Sequence, residues 1–141
     1  VVRAAQGHEH VEIETDTTDL PRVVGDPVAF RRILENLIAN AVDSLESKPG
    51  RITISTQTIR HDGDSPVVRV TVADTGRGMS RDETARIFDD FYTTKPGGTG
   101  LGLSIVRRLV MDLHGTLSVE SLPGTGTRII VDIPAGGSRR T

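Results

Sequence analysis

Four short stretches of the chain combine residue types and spacings able to do chemistry. The first is 35–41, Glu-Asn-Leu-Ile-Ala-Asn-Ala. Asn36 and Asn40 are one turn apart on a helical pattern and share a face beside its apolar stripe. Asparagine is a poor helix-interior residue, because its amide competes for backbone bonds. Its carbonyl is also a hard oxygen ligand suited to Mg²⁺, which keeps several waters and takes other ligands from phosphates. Taken alone, the pair fits equally a helix whose amides bond a neighbouring loop. The second stretch is 74–79, Asp-Thr-Gly-Arg-Gly-Met, after a β-rich run. A carboxylate at a strand end can accept from an exocyclic amine, which adenine carries and guanine replaces by an oxygen. Opposing two buried acceptors costs about 1–3 kcal/mol, enough to select one purine. The glycines permit a tight turn and close approach of a flat ligand, and an ordinary Asp-Gly turn reads the same way.

The third stretch, 88–95, places Phe88 and Phe91 ahead of Lys95, so aromatic anchors could hold a loop that carries a cation. Plain core packing of both phenylalanines is compatible with that. The fourth, 97–104, runs Gly97, Gly98, Thr99, Gly100, Leu101, Gly102, Leu103 and Ser104 into a helical pattern. Small residues there expose several N–H groups at the positive end of a helix, a cradle for phosphate. No Gly-Lys-Ser/Thr follows, so it is not a Walker A loop, and the dinucleotide spacing is absent.

The elements that must position these stretches are legible from periodicity. Alternation predicts strands over 11–15, 51–59, 67–73, 116–121 and 127–133. A helix is expected from Asp26-Pro27, with Phe30, Leu34, Leu37, Ala41 and Leu45 as its stripe and Lys48-Pro49-Gly50 as its end. Ser80 and Glu83 form a capping box for a short helix ending near Asp89. A third helix spans 101–113 on Leu103, Val106, Val110 and Leu113, with Gly115 closing it. Strands mixed with helices and joined mostly by hairpins imply one antiparallel or mixed sheet with helices on one face.

Bulk composition narrows the classes. The 141 residues suit one domain, and 35% hydrophobic with 26% charged residues is ordinary for a globular chain. With three Phe, one Tyr and no Trp, the core falls to Val, Ile and Leu. A net charge of −2 without a basic patch argues against nucleic acid as a partner. The absence of Cys rules out disulfides and thiolate metal sites and fits a reducing compartment. No stretch has the apolar length of a membrane span, and the chain opens on Val1 without a signal peptide. His8-Glu9-His10 is a weak metal candidate near the N-terminus, and His114 sits where a helix dipole favours it.

Taken in order, the four stretches resemble the N, G1, F and G2 boxes of sensor histidine kinases, and 124–127, Gly-Thr-Gly-Thr, resembles the family's last glycine-threonine box. The resemblance covers about residues 10–134. It implies a two-layer α/β (α+β) sandwich, the Bergerat-type ATP-binding fold, with a mixed, mostly antiparallel sheet. Residues 1–9 are then a linker remnant and 135–141 a frayed tail. On this resemblance Asn40 is the Mg²⁺ ligand and Asp74 the adenine acceptor, with Thr127 reaching the same base. Gly76, Gly78 and Ile87 line the base pocket. Asp43 and Ser44 follow on the helix beside the nucleotide. Lys95, Gly98, Thr99, Gly100, Leu101, Gly102 and Leu103 belong to the lid over the triphosphate, and Asn36 and Lys95 hold the catalytic positions.

Many family members carry Lys where this chain has Asp43, which resembles the Asn-Ala-x-Asp subgroup and shifts weight onto Lys95. The related ATPases carry Glu at the position of Asn36, so slow intrinsic hydrolysis is expected. No phosphoacceptor box is present. The resemblance therefore implies transfer of the ATP γ-phosphate to a histidine on a separate dimerisation domain, with a response regulator as indirect partner. It also implies a monomeric isolated domain in the cytoplasm, from a parent protein able to sit in a membrane. The rival from another class is a serine kinase or anti-sigma-type switch of the same superfamily.

Overall fold

The computed structural model describes residues 2–3, 11–16, 27–46, 48–60, 66–89 and 102–134. Among these described residues, six strands and three helices follow in the order β1 (Val2–Arg3), β2 (Val11–Asp16), α1 (Pro27–Ser44), β3 (Gly50–Ile59), β4 (Val67–Asp74), α2 (Arg81–Arg86), α3 (Gly102–Asp112), β5 (Thr116–Leu122) and β6 (Gly126–Pro134). The strands form one sheet in the order β1-β2-β3-β4-β6-β5. Only β2 and β3 run parallel, as the α1 crossover between them requires; the other pairs are antiparallel. The mixed, mostly antiparallel sheet expected from the sequence is present. Val2–Arg3, inside the stretch read as a linker, adds a short edge strand beside Glu12 and Ile13.

Side-chain parity decides where the core lies. In β4 every second residue is buried, giving Val68, Val70 and Val72 on one face. On β6 the matching set is Ile129, Val131 and Ile133, and the register pairs Val72 with Ile129, Val70 with Val131 and Val68 with Ile133. Leu117 and Val119 of β5 stand opposite Val131 and Ile129 and pack against the same cluster. That face is covered by α1 and α3, which supply Ile33, Leu37 and Ala41, and Val106 and Val110, with Leu45 just past the end of α1. Two layers result, with a core of aliphatic residues, as the scarcity of aromatics demands. On the outer face Arg69 and Asp132, also directly opposite, form a two-pronged ion pair, with Nε–Oδ1 at 2.8 Å and Nη2–Oδ2 at 2.9 Å. It pins the same register from the solvent side.

Three helix details differ from the sequence reading. The fully buried stripe of α1 is centred on Ile33, while Phe30 and Leu34 flank it as partly buried residues. A stripe of residues one turn apart has one central line, and Ile33, Leu37, Ala41 and Leu45 lie on it. α1 ends at Ser44, before Lys48-Pro49, and Glu46 takes a left-handed conformation with φ 55°. At the end of α3 the left-handed residue is His114, with φ 61°, and not Gly115. The His114 N–H donates to Met111 O (3.0 Å) and the Gly115 N–H to Val110 O (2.9 Å), the paired bonds of a Schellman cap. Gly115 is small for another reason: a Cβ there would lie 2.4 Å from Asp132 O.

The two positions should therefore respond in opposite ways. His114→Gly relieves a strained backbone and is expected to raise unfolding stability by about 0.5 kcal/mol. Gly115→Ala is expected to lower it by about 2 kcal/mol, because the obstruction is backbone. Urea denaturation of both variants measures the pair.

Candidate nucleotide site

The core stripe of the sheet turns polar at one end. Asp74 is the last residue of β4 and keeps the parity of Val68, Val70 and Val72, so its carboxylate faces the helical layer. Its partner in register on β6 is Thr127, with the parity of Ile129, and the partner of Thr127 on β5 is Ser121. One step beyond the row Val72–Ile129–Val119 thus lies the row Asp74–Thr127–Ser121. Asp74 and Thr127 are 8% and 5% exposed, so neighbouring acceptors sit at the floor of the helical face where α1 ends.

The groups around Asp74 are held by hydrogen bonds that join its turn to α1 and to the β5–β6 hairpin. Ser44, the last residue of α1, donates from Oγ to Asp74 Oδ1 at 3.0 Å, and the Gly76 N–H reaches the same oxygen at 2.8 Å. The turn after β4 is tied to α1 by the Arg77 N–H donating to Ser44 O (3.0 Å). It is tied to the β5–β6 hairpin by the Gly124 N–H donating to Arg77 O (2.7 Å) and the Met79 N–H donating to Ser121 Oγ (2.8 Å). The expected capping box closes the turn: the Glu83 N–H donates to Ser80 Oγ and the Ser80 N–H to Glu83 Oε1. An ionised carboxylate has about four lone-pair sites, so Asp74 retains capacity for a further donor.

Burial pushes the Asp74 carboxyl above the usual carboxylate range, against the opposing pull of the Gly76 N–H, the Ser44 hydroxyl and the Thr127 N–H. A carboxyl perturbed by burial at the end of a strand marks a candidate functional residue.

The glycines divide by what surrounds them. A Cβ at Gly76 would meet Ser44 Oγ at 2.2 Å and Ser44 O at 2.4 Å; one at Gly126, with φ 140°, would meet Asp74 O at 2.0 Å. Gly78, with φ 69°, would meet Leu122 O. These three let α1, the turn and the hairpin close on one another. Gly102, the first residue of α3, has open space where its Cβ would be. Among the described residues nothing lies within 4 Å of that position.

The other expected residues are distributed as follows. Asn36 and Asn40 are half-buried on α1, while Glu35 turns to solvent and pairs with Arg31 at 3.3 Å. Asp43 is exposed and Ser44 half-buried. Ile87 and Met79, each 8% exposed, are buried apolar residues outside the main core cluster, on either side of α2. Leu103 is partly buried and packs against that cluster. Lys95, Gly98, Thr99, Gly100 and Leu101 lie outside the described residues. The sequence reading missed Ser121, whose signal is strand parity with Leu117 and Val119. Among the described residues no cluster of three or more His, Cys, Asp or Glu could hold a metal ion. None of their helices is long and apolar enough to cross a membrane.

A two-layer sandwich with a buried carboxylate at the end of a central strand, a long helix bearing two asparagines and a glycine opening a second helix defines an ATPase-type nucleotide-binding domain. The chain belongs to the family of histidine kinase-, DNA gyrase B- and HSP90-like ATPases, whose model matches residues 25–137. It is 37% identical over 121 residues to the sensor histidine kinase ZraS of Klebsiella oxytoca, covering 86% of this chain and 25% of that protein. It is 36% identical over 121 residues to the sensor histidine kinase RcsC of Escherichia coli K12, covering 82% and 12% respectively. The chain thus spans a quarter or less of these curated relatives. Among solved structures, the mycobacterial sensor histidine kinase MprB superposes with a TM-score of 0.78 at 28% identity over 91% of this chain and 84% of that one. Full-length ShkA in complex with AMPPNP gives 0.77 at 36% identity, over 91% and 26%.

Ionised Asp74 costs the fold stability. Its folded pKa is raised, so between the ordinary value of 3.8 and the raised one the folded state binds more protons, and stability falls as pH rises through that window. Asp74→Asn keeps an oxygen for Ser44 and Gly76 without the buried charge. It is expected to unfold at or above the wild-type temperature at pH 7, with the difference shrinking as pH drops through the window. Calorimetry across pH 4–8 measures this.

Proposed function

We propose that this domain binds Mg²⁺-ATP and donates the γ-phosphate to a histidine on a separate helical dimerisation domain, as the catalytic module of a sensor histidine kinase. The observation that carries the reading is the buried acceptor pair Asp74–Thr127 at the end of the core stripe. Adenine offers an amine to such a pair, where a 6-oxo purine offers an acceptor. Ile87 and Met79 supply apolar surface for the base, and Gly102 leaves room for phosphate oxygens to approach the first N–H groups of α3.

The donor set fits Mg²⁺ bound through its nucleotide. Asn40 offers a neutral amide oxygen from a half-buried position, and no carboxylate cage surrounds it among the described residues. That is the pattern for an ion held by one protein group, phosphates and water. When bound, the ion would neutralise charge on the phosphates. Asn36, one turn earlier on the same face, cannot accept a proton, and Glu35 faces solvent beside Arg31. An imidazole nitrogen needs no base to attack phosphorus, whereas water does, so transfer is favoured over hydrolysis. Lys95 and the segment through Leu101 are assigned to the triphosphate on resemblance alone. The partners that follow are the histidine-bearing helical domain and, indirectly, a response regulator, with the domain acting in the cytoplasm where ATP is.

Isothermal titration with Mg²⁺-ATP should give binding that Asp74→Ala weakens by about 10- to 100-fold, as expected for losing a charged hydrogen bond in a buried site. Incubation with Mg²⁺-ATP and the histidine-bearing helical domain of the same kinase should yield acid-labile, base-stable phosphate on that domain. Acid-stable phosphate on serine would favour the serine-kinase reading, and no nucleotide binding would sink both.

Gly102→Ala should leave stability unchanged or slightly raised, since alanine suits a helix and has space there. Its Mg²⁺-ATP affinity should fall by about tenfold if phosphate approaches this backbone. Thermal melts and titration of the same sample separate the two effects.

A further inference from the structure

The row Asp74–Thr127–Ser121 holds a second hydroxyl, that of Ser121, to which the nucleotide assignment gives no part. Ser121 Oγ touches three groups: the Met79 N–H at 2.8 Å, Gly126 O at 2.9 Å and Thr127 Oγ1 at 2.8 Å. Its one proton and two lone pairs allow a single arrangement that satisfies all three. The carbonyl of Gly126 only accepts, so the serine proton goes there. The Met79 N–H only donates, so it takes one lone pair. Thr127 must then donate its own proton to the second lone pair. Any other assignment leaves two oxygens within 2.9 Å with no hydrogen between them.

We propose that Ser121 is a specificity-determining positioning residue that commits the Thr127 hydroxyl to act as an acceptor toward the ligand. The inference rests on the nucleotide reading and deepens it. With its proton committed, Thr127 presents only lone pairs beside the Asp74 carboxylate, and both side chains face the helical layer in adjacent register. A purine with a 6-amino group offers protons to that pair. A 6-oxo purine offers an oxygen, and Thr127 could turn its proton to it only by breaking the bond to Ser121. Through Met79 the same hydroxyl also fixes the turn that follows Asp74, so base selection and turn position share one anchor.

Mg²⁺-ATP and Mg²⁺-ITP, which differ at position 6 and in the proton that ITP carries at N1, are titrated into the wild type, Ser121→Ala, Thr127→Val and the double variant, each first checked for fold by circular dichroism. Ser121→Ala should cut the ATP-over-ITP preference about tenfold, since the freed Thr127 can then donate to the 6-oxygen. In the Thr127→Val background the same change should leave the ratio unmoved, because no hydroxyl remains to be held. Equal weakening toward both nucleotides, with the ratio intact, would make Ser121 a mere brace and overturn the proposal. Failure of the wild type to bind either nucleotide would instead reject the nucleotide reading. Should Ser121→Ala not fold, Ser121→Cys keeps the volume with a poor acceptor, and the same ratio decides.

Discussion

The register between β4 and β6 is the constraint on which the site depends. Because strand side chains alternate, a slip of one residue would turn Val68, Val70 and Val72 to solvent and carry Asp74 with them. The aliphatic rows that drive the sheet against α1 and α3 therefore also aim the carboxylate. The fork between Arg69 and Asp132 holds the same pairing from the opposite face. Folding energy and the direction of the chemical group come from one alignment, and the site sits where the apolar rows run out.

A second consequence concerns the turn between β4 and α2. It is held by three other segments, through Ser44 of α1, Ser121 of β5 and Gly124 of the hairpin. Such close contact demands residues without side chains, so Gly76, Gly78 and Gly126 serve the approach of backbone to backbone. Among the described residues none crowds Gly102 in that way. The buried charge of Asp74 works against the fold it belongs to, and the hydrogen bonds from Gly76 and Ser44 offset only part of that.

The long elements were legible because period and parity are local. Apolar residues one turn apart outlined α1 and α3, alternation outlined β3, β4, β5 and β6, and Ser80 with Glu83 announced α2. The candidate site was legible where residue type is unusual for its place: two asparagines on a helix, and an Asp ending a valine strand. Less visible were features that need a partner distant in sequence. Ser121 looks like any polar residue on an edge strand until Met79 and Thr127 are placed beside it. Gly115 looked like the residue that closes α3, but the left-handed turn fell to His114, since the glycine was needed for clearance from Asp132.

Sequence alone thus determined the inventory: which segments are helix or strand, which faces are apolar, and which chemical groups are available at their ends. Those choices are set by side-chain sterics and by the 3.6- and 2-residue repeats, which act within a few positions of the chain. Tertiary structure decided which groups share a row, which hydroxyl proton is committed where, and which glycines answer to neighbouring backbone. Those depend on contacts between strands and helices separated by tens of residues, and only the packed sheet brings them within hydrogen-bonding distance.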